Sequence, residues 1–265
     1  MKNRAVLVLS VFIASAIIAA IGGIAGTASG AETPQQWLKK ADSYRLAAHD
    51  YKTAIDYYTR AIDAGYTDDG AAYNGRAICR HELGEYREAL ADYRKAIFRG
   101  RGSEVLHVFY GNRARTLREM GKHRRAVGDY STAIKLAEKR PETDRVRLLV
   151  GLYYRERAGE RGALADHAGA VEDYTESLKH SPNHYQAYVD RGEAYLAMGE
   201  RAKALADFNR AIKRSPDRPG AYLARGLLYR DTGKADSALN DFRKACEMGD
   251  ETACGYYTDM RKVVK

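Results

Sequence analysis

One arrangement of residues recurs six times in this chain, and it admits one kind of local structure. Aromatic residues at Tyr58, Tyr93, Tyr130, Tyr174, Phe208 and Phe242 follow one another at spacings of 35, 37, 44, 34 and 34 residues. Four residues before each stands an alanine (Ala54, Ala89, Ala126, Ala170, Ala204, Ala238). Three after each stands a small residue (Ala61, Ala96, Ala133, Ser177, Ala211, Ala245). Small, aromatic and small at i, i+4 and i+7 form one stripe on an α-helix. The small flanks let a neighbouring helix come close while the ring fills the space between them. A period of this length marks an array of supersecondary units.

A second pattern precedes each stripe. Tyr73, Tyr110, Tyr154, Tyr188 and Tyr222 are followed three residues later by arginine and four later by Ala77, Ala114, Ala158, Gly192 or Gly226. This spacing is again helical and supplies a close-packing slot. Gly84, Gly121, Gly199 and Gly233 stand between the two patterns, suited to a left-handed residue that ends the first helix. Pro182 and Pro216 close the unit where helix cannot continue. Each unit therefore reads as two antiparallel helices with short connections. The arginines Arg76, Arg113, Arg157, Arg191 and Arg225 are each followed sixteen residues later by Asp92, Asp129, Asp173, Asp207 or Asp241. In the first unit both are replaced, by Ala41 and Tyr57. Joint presence and joint absence predict that the two side chains meet across the helix pair, as scaffold.

These slots together resemble the tetratricopeptide repeat (TPR) family, and residues 185–218 and 219–251 meet the pattern most fully. The resemblance implies an all-α fold, a right-handed superhelical solenoid of six helix-turn-helix units at 35–68, 70–103, 107–140, 151–184, 185–218 and 219–251. A capping helix and tail follow at 252–265, giving thirteen principal helices. The first unit departs from the pattern: Trp37 and Tyr44 are one position out of phase, Asp42 occupies the small slot, and His49 replaces the turn glycine. In the fourth unit Ala165 stands at the glycine site. About ten extra residues precede that unit around "EKRPETDRV", a longer loop or a helix extension where the stack is expected to bend or loosen.

Residues 1–31 stand apart from the repeats. Lys2 and Arg4 precede an apolar run from Ala5 to Ile21, and Ser29 and Ala31 are small residues suited to cleavage before Glu32. This has the three parts of a secretory signal. An uncleaved membrane anchor over residues 5–25 is the alternative, because about 18 apolar residues can span a bilayer. Either reading places the rest of the chain outside the cytoplasm, in the periplasm or another extracytoplasmic compartment. The net charge of +9 is unevenly spread: residues 99–125 hold Arg99, Arg101, Arg113, Arg115, Arg118, Lys122, Arg124 and Arg125 against Glu104 and Glu119. Such a region suits an anionic membrane surface, an acidic polymer or an acidic partner, or simply a solvated helix face. Export makes nucleic acid an unexpected partner.

No catalytic motif is present: there is no G-x-S-x-G, no Walker loop and no H-E-x-x-H. His180 and His184 flank Pro182, which argues against the helix that their spacing would need to bind a metal. The chain is expected to be no enzyme and to carry neither metal nor cofactor. In the resembled family the first helices line a concave groove that holds peptides or partner proteins. The inward candidates are Asn74, Ile78, His81, Arg115, Arg118, Glu193, Leu223, Leu227 and Arg230, and they differ from unit to unit. Ile78, Leu223 and Leu227 suit packing between helices equally well. The residue set with which some TPR domains grip the C-terminal carboxylate of heat-shock chaperones is broken. Lys39 and Asn112 match it, but Ser43, Gly75 and Val108 do not. The expectation is an exported interaction scaffold of a bacterial envelope with a protein or peptide partner. The alternatives are a binder of an anionic surface through 99–125 and a noncatalytic subunit of an envelope enzyme complex.

Cys246 and Cys254 lie at the end of the sixth unit and the start of the terminal helix. They resemble the cysteine pairs of exported Sel-like repeats, relatives of TPRs in which a bridge clips the hairpin. An oxidising compartment would permit the bridge, whose short loop would contribute roughly 2–3 kcal/mol by chain entropy; two buried free thiols are the other possibility. Cys79 falls on the packed side of its helix as a small core residue. Mass mapping of protein from its native compartment, without reductant, is expected to find Cys246 and Cys254 in one linked peptide. Cys79 should alkylate only after denaturation. Recovery of both C-terminal cysteines as free thiols would remove the bridge.

Overall fold

A computed structural model of the protein describes residues 32–66 and 70–263. The signal-like segment 1–31 lies outside the described residues. Thirteen α-helices and no strand occur among the described residues. They fall into two compact units, one ending at Arg99 and the other beginning at Gly100. The first holds α1 (Pro34–Ser43), α2 (Tyr51–Asp63), α3 (Ala71–Glu82) and α4 (Tyr86–Arg99), with a five-residue π-turn, Tyr44–Ala48, appended to α1. The second holds α5 (Leu106–Glu119), α6 (His123–Ala137), α7 (Asp144–Ala163), α8 (His167–His180), α9 (Tyr185–Ala197), α10 (Arg201–Arg214), α11 (Pro219–Asp231), α12 (Ala235–Glu247) and α13 (Glu251–Val263).

The hairpins close alike. Gly84, Gly121, Gly199 and Gly233 adopt φ values of 77°, 66°, 76° and 72°, a region that glycine enters without steric cost. His49 and Ala165 occupy the corresponding turns with φ of 51° and 60°, although a side chain there costs roughly 1–2 kcal/mol. The geometry of the helix pair overrides the local preference.

Every residue of the six small–aromatic–small stripes is buried. The close-packing slot opposite is tight. A Cβ on Gly192 would sit 2.5 Å from Phe208 Cε1, and one on Gly226 would sit 2.7 Å from Phe242 Cε1. Between these layers run the five arginine–aspartate pairs. Each guanidinium donates through Nε and Nη2 to both carboxylate oxygens at 2.6–2.9 Å. Four of them also donate Nη1 to the preceding second helix: Arg76 to Thr59, Arg157 to Ser131, Arg191 to Thr175 and Arg225 to Asn209. Each guanidinium lies 5.2–5.8 Å from the ring of the tyrosine three residues earlier. One side chain thus ties three helices together.

The first helix pair solves the same problem with rings. Tyr57, in the aspartate slot, stacks between Trp37 and Tyr44 with centroids 5.5 and 5.3 Å away. Lys40 and Arg60 lie over Trp37 and Tyr57. The out-of-phase aromatics noted in the sequence therefore form a sandwich in place of the salt bridge. Asp42, in the small slot, accepts a hydrogen bond from the Tyr58 hydroxyl at 2.5 Å, and Arg45 donates to that hydroxyl at 2.7 Å.

Of the longer loop or helix extension expected ahead of the fourth helix pair, the extra residues form the extension and lengthen α7. Thr143 caps α7 by accepting from the Val146 amide, and Leu149 and Val150 of the added turns are buried. At the other end Cys246 and Cys254 are joined, with their Cα atoms 4.6 Å apart, clipping α12 to α13. Cys79 is fully buried, and burial chiefly pushes its thiol up to about 12.

The Arg191–Asp207 pair is expected to behave as a buried pair. Its side chains are 11% and 1% exposed. Asp207→Asn should cost about 3 kcal/mol in denaturant unfolding, because the guanidinium then lies buried without its counter-charge. Arg191→Met combined with Asp207→Leu should recover more than half of that loss. Additive losses would show that the pair is not coupled.

Candidate partner-binding groove

The residues proposed from the sequence fall in both units. On α3, Asn74 and Ile78 are half-buried, and Ile78 packs against the cluster of Ala77, Ala89 and Tyr93. His81 does not present an open face as expected. It is 9% exposed, and its ring lies against Tyr86, 5.5 Å away, because the α3–α4 turn folds that tyrosine over it.

In the second unit the first helices of the pairs are α5, α7, α9 and α11. Two residues after each repeated arginine stand Arg115, Gly159, Glu193 and Leu227. Five after it stand Arg118, Gly162, Leu196 and Arg230. One and two residues before it, α7 contributes Glu156 and Arg155 and α9 contributes Asp190. These positions share helical register, so each helix presents a different side chain where the scaffold residues repeat.

The contacts that the structure shows bring some of these together. Arg118 reaches from α5 to Glu156 on α7, and Arg155 donates to the same carboxylate at 2.8 Å. Burial works to raise the Glu156 carboxyl, but Arg155 and Arg118 outweigh it and hold it below the usual carboxylate range. Arg118 is therefore already engaged within the protein. Arg155 also meets His184, whose Nδ1 accepts from the Ala187 amide and caps α9. Leu223 is packed against the cluster of Tyr222, Ala245 and Ala253, and Leu227 is half-buried. Arg230 is exposed, ion-paired with Asp231 and 5.0 Å from the Tyr256 ring of α13.

Asp190 and Glu193 differ from Glu156. Gln186 donates to Asp190 at 2.7 Å, and among the described residues neither Asp190 nor Glu193 has an ion-pair partner. Burial, and for Glu193 then the adjacent Asp190, push both carboxyls up. Beneath them the aromatic stripe carries tyrosine hydroxyls. Tyr174 is 7% exposed, and its hydroxyl lies 3.9 Å from where a Cβ on the exposed Gly159 would be. Burial, followed by Asp190, Glu193 and Glu156, pushes that hydroxyl well up. Tyr130 stands likewise near Glu156 and Arg118. Among the described residues neither hydroxyl has a hydrogen-bond partner, and neither is sealed from the surface. Arg155, Glu156 and Asp190 escaped notice in the sequence. They lie beside the repeated arginine, and comparing those flanking positions across units would have shown them to be as variable as Glu193.

The tetratricopeptide repeat family model matches residues 39–104 and 189–251. These two segments, just under half of the chain, are similar to tetratricopeptide repeats. Between the matched segments the arginine–aspartate pairs of residues 113–129 and 157–173 continue the repeat geometry. No curated protein sequence is significantly similar to the chain. Among solved structures, "Crystal structure of MamA" is 19% identical with a TM-score of 0.57, covering 67% of this chain and 96% of that one. "Crystal structure of YrrB: a TPR protein with an unusual peptide-binding site" is 16% identical with a TM-score of 0.59, covering 77% and 99%. "Crystal structure of APC/C hetero-tetramer Cut9-Hcn1" is 15% identical with a TM-score of 0.60, covering 86% of this chain and 42% of that one. At these identities the likeness is one of fold, a solenoid of helical repeats. No helix among the described residues is long and apolar enough to cross a membrane.

Replacing Arg118 with methionine should leave Glu156 to Arg155 alone and cost about 2 kcal/mol near neutral pH. A carboxyl held below its unfolded value stabilises the fold above that value and ceases to do so as pH falls through the folded one. The difference between wild type and Arg118→Met should therefore be largest above pH ~5 and shrink on acidification. Thermal melts across that range check it; a constant difference would mean that Arg118 acts by packing.

Proposed function

We propose that the protein is an exported, non-enzymatic scaffold that holds a peptide or protein partner against the first helices of its repeats. One observation carries this reading. On α5, α7, α9 and α11 the positions flanking the repeated arginine change from helix to helix, while the arginine and its aspartate do not. An unchanging frame that displays a changing surface suits recognition of an irregular polypeptide, each helix meeting a different part of it. The fold is shared with a protein described as having a peptide-binding site, which supports the reading. Export rests on the signal-like residues 1–31, with cleavage before Glu32, and places the scaffold in a cell envelope.

A surface that binds by charge through residues 99–125 would use other groups. Arg113 is locked to Asp129 and Arg118 to Glu156, leaving Arg99, Arg101, Lys122, Arg124 and Arg125 exposed, the last three around the start of α6. The two readings separate by mutation. Affinity capture from the native envelope with the full-length chain should identify a partner whose binding weakens by more than about 1 kcal/mol, roughly fivefold, in Arg115→Glu/Leu227→Ser. Arg124→Glu/Arg125→Glu should bind within about 0.5 kcal/mol of wild type. If the second pair is the damaging one, the ligand lies on the second-helix side and the groove reading fails.

A further inference from the structure

Three features of the second unit meet at one place on the α7–α9 surface, and the scaffold uses none of them. The first is a gap. At the two register positions where α5 carries Arg115 and Arg118 and α11 carries Leu227 and Arg230, α7 carries Gly159 and Gly162. A Cβ on Gly162 would meet nothing within 4 Å, and one on Gly159 would meet only the Tyr174 hydroxyl, at 3.9 Å. The helix wall is therefore cut down to backbone at these positions.

The second feature is the floor of that gap. Tyr174 is more than nine-tenths buried, yet its hydroxyl opens at Gly159 and has no hydrogen-bond partner among the described residues. A buried phenol normally finds a partner. Its equivalent in the first unit, Tyr58, is fully satisfied by Asp42 and Arg45. In the last two pairs the same slot is phenylalanine and raises no demand. The Tyr174 hydroxyl is thus a polar group left available on an otherwise closed core.

The third feature is charge. The groups that act electrostatically on Tyr174 are Asp190, Glu193 and Glu156 on the acidic side and Arg155 on the basic side. Arg155 and Arg118 share Glu156, and Arg155 acts on Asp190 as well. Asp190 is held by the neutral amide of Gln186, and Glu193 has no hydrogen-bond partner among the described residues. Neither carboxylate is ion-paired among the described residues, and both act on the available hydroxyl. No group of three or more His, Cys, Asp or Glu among the described residues is arranged for a metal ion, so a metal is a poor match.

We infer that the notch at Gly159 and Gly162, walled by Asp190 and Glu193 and floored by the Tyr174 hydroxyl, receives the cationic side chain of a lysine or arginine from a bound polypeptide. This rests on the proposed peptide-binding role and specifies what the groove selects. The ammonium or guanidinium donates to both carboxylates and to the phenol oxygen, and its aliphatic stem lies over the glycine backbone. A protein carrying a net charge of +9 repels basic chains in general, so one acidic notch discriminates by position rather than by overall charge.

The test is selection from a randomised nonapeptide library, N-acetylated and C-amidated so that side chains alone carry charge, on the purified full-length chain. The retained pool should show Lys or Arg enriched at one position by about fivefold or more, the order expected of a charge-assisted contact. Asp190→Asn/Glu193→Gln should bring that position back to the input frequency while the rest of the consensus persists and the melting temperature is unchanged or raised. Tyr174→Phe should weaken the best lysine peptide by about tenfold or more, the value of one hydrogen bond to a charged group. A consensus without a basic position, or a basic preference that survives the double substitution, overturns the inference and leaves peptide binding standing. Retention of no peptide at all removes the underlying reading and the inference with it.

Discussion

A guanidinium placed where three helices converge must be neutralised there, and the rest of the array is arranged around that need. The aspartate sixteen residues later supplies both oxygens, the preceding second helix supplies a hydroxyl or amide in four of the five pairs, and a tyrosine ring covers the face. Desolvation of such a pair offsets much of its attraction, so its worth lies less in net stability than in geometry. A bidentate fork tolerates little sliding of one helix along another. The small residues that permit close approach would also permit other registers; the fork selects one.

The first helix pair shows that the requirement is for a filled, satisfied junction rather than for these particular residues. With Ala41 and Tyr57 in the arginine and aspartate slots, Tyr57 slides between Trp37 and Tyr44 much as Arg191 lies between Tyr188 and Tyr195. A planar ring replaces a planar guanidinium. Among the described residues no second helix precedes this pair, and the aromatic sandwich needs none.

The choice between tyrosine and phenylalanine in the buried stripe links the core to the surface. Tyr130 and Tyr174 bring hydroxyls up among Arg118, Glu156, Asp190 and Glu193. Phe208 and Phe242 bring no hydroxyl and press instead against Gly192 and Gly226.

Periodicity alone was enough to read the helices, the buried stripes, the left-handed turns and the arginine–aspartate pairing. Each keeps its spacing within a helix pair, and local geometry imposes it wherever the residues recur. The same spacing drew attention to Arg115, Glu193 and Leu227, because they depart from a repeat. It could not show that His81 lies under Tyr86, that Arg118 is spent on Glu156, or that Glu156 and Asp190 belong with Glu193. Those facts depend on which side chains of different helices come within a few ångströms, and that distance is set by how closely α5, α7 and α9 pack. The sequence by itself determined the frame, since a frame is made of repeated local rules. Only the tertiary structure decided which charges are neutralised and which hydroxyls and carboxylates remain available, since that is settled by neighbours from helices distant along the chain.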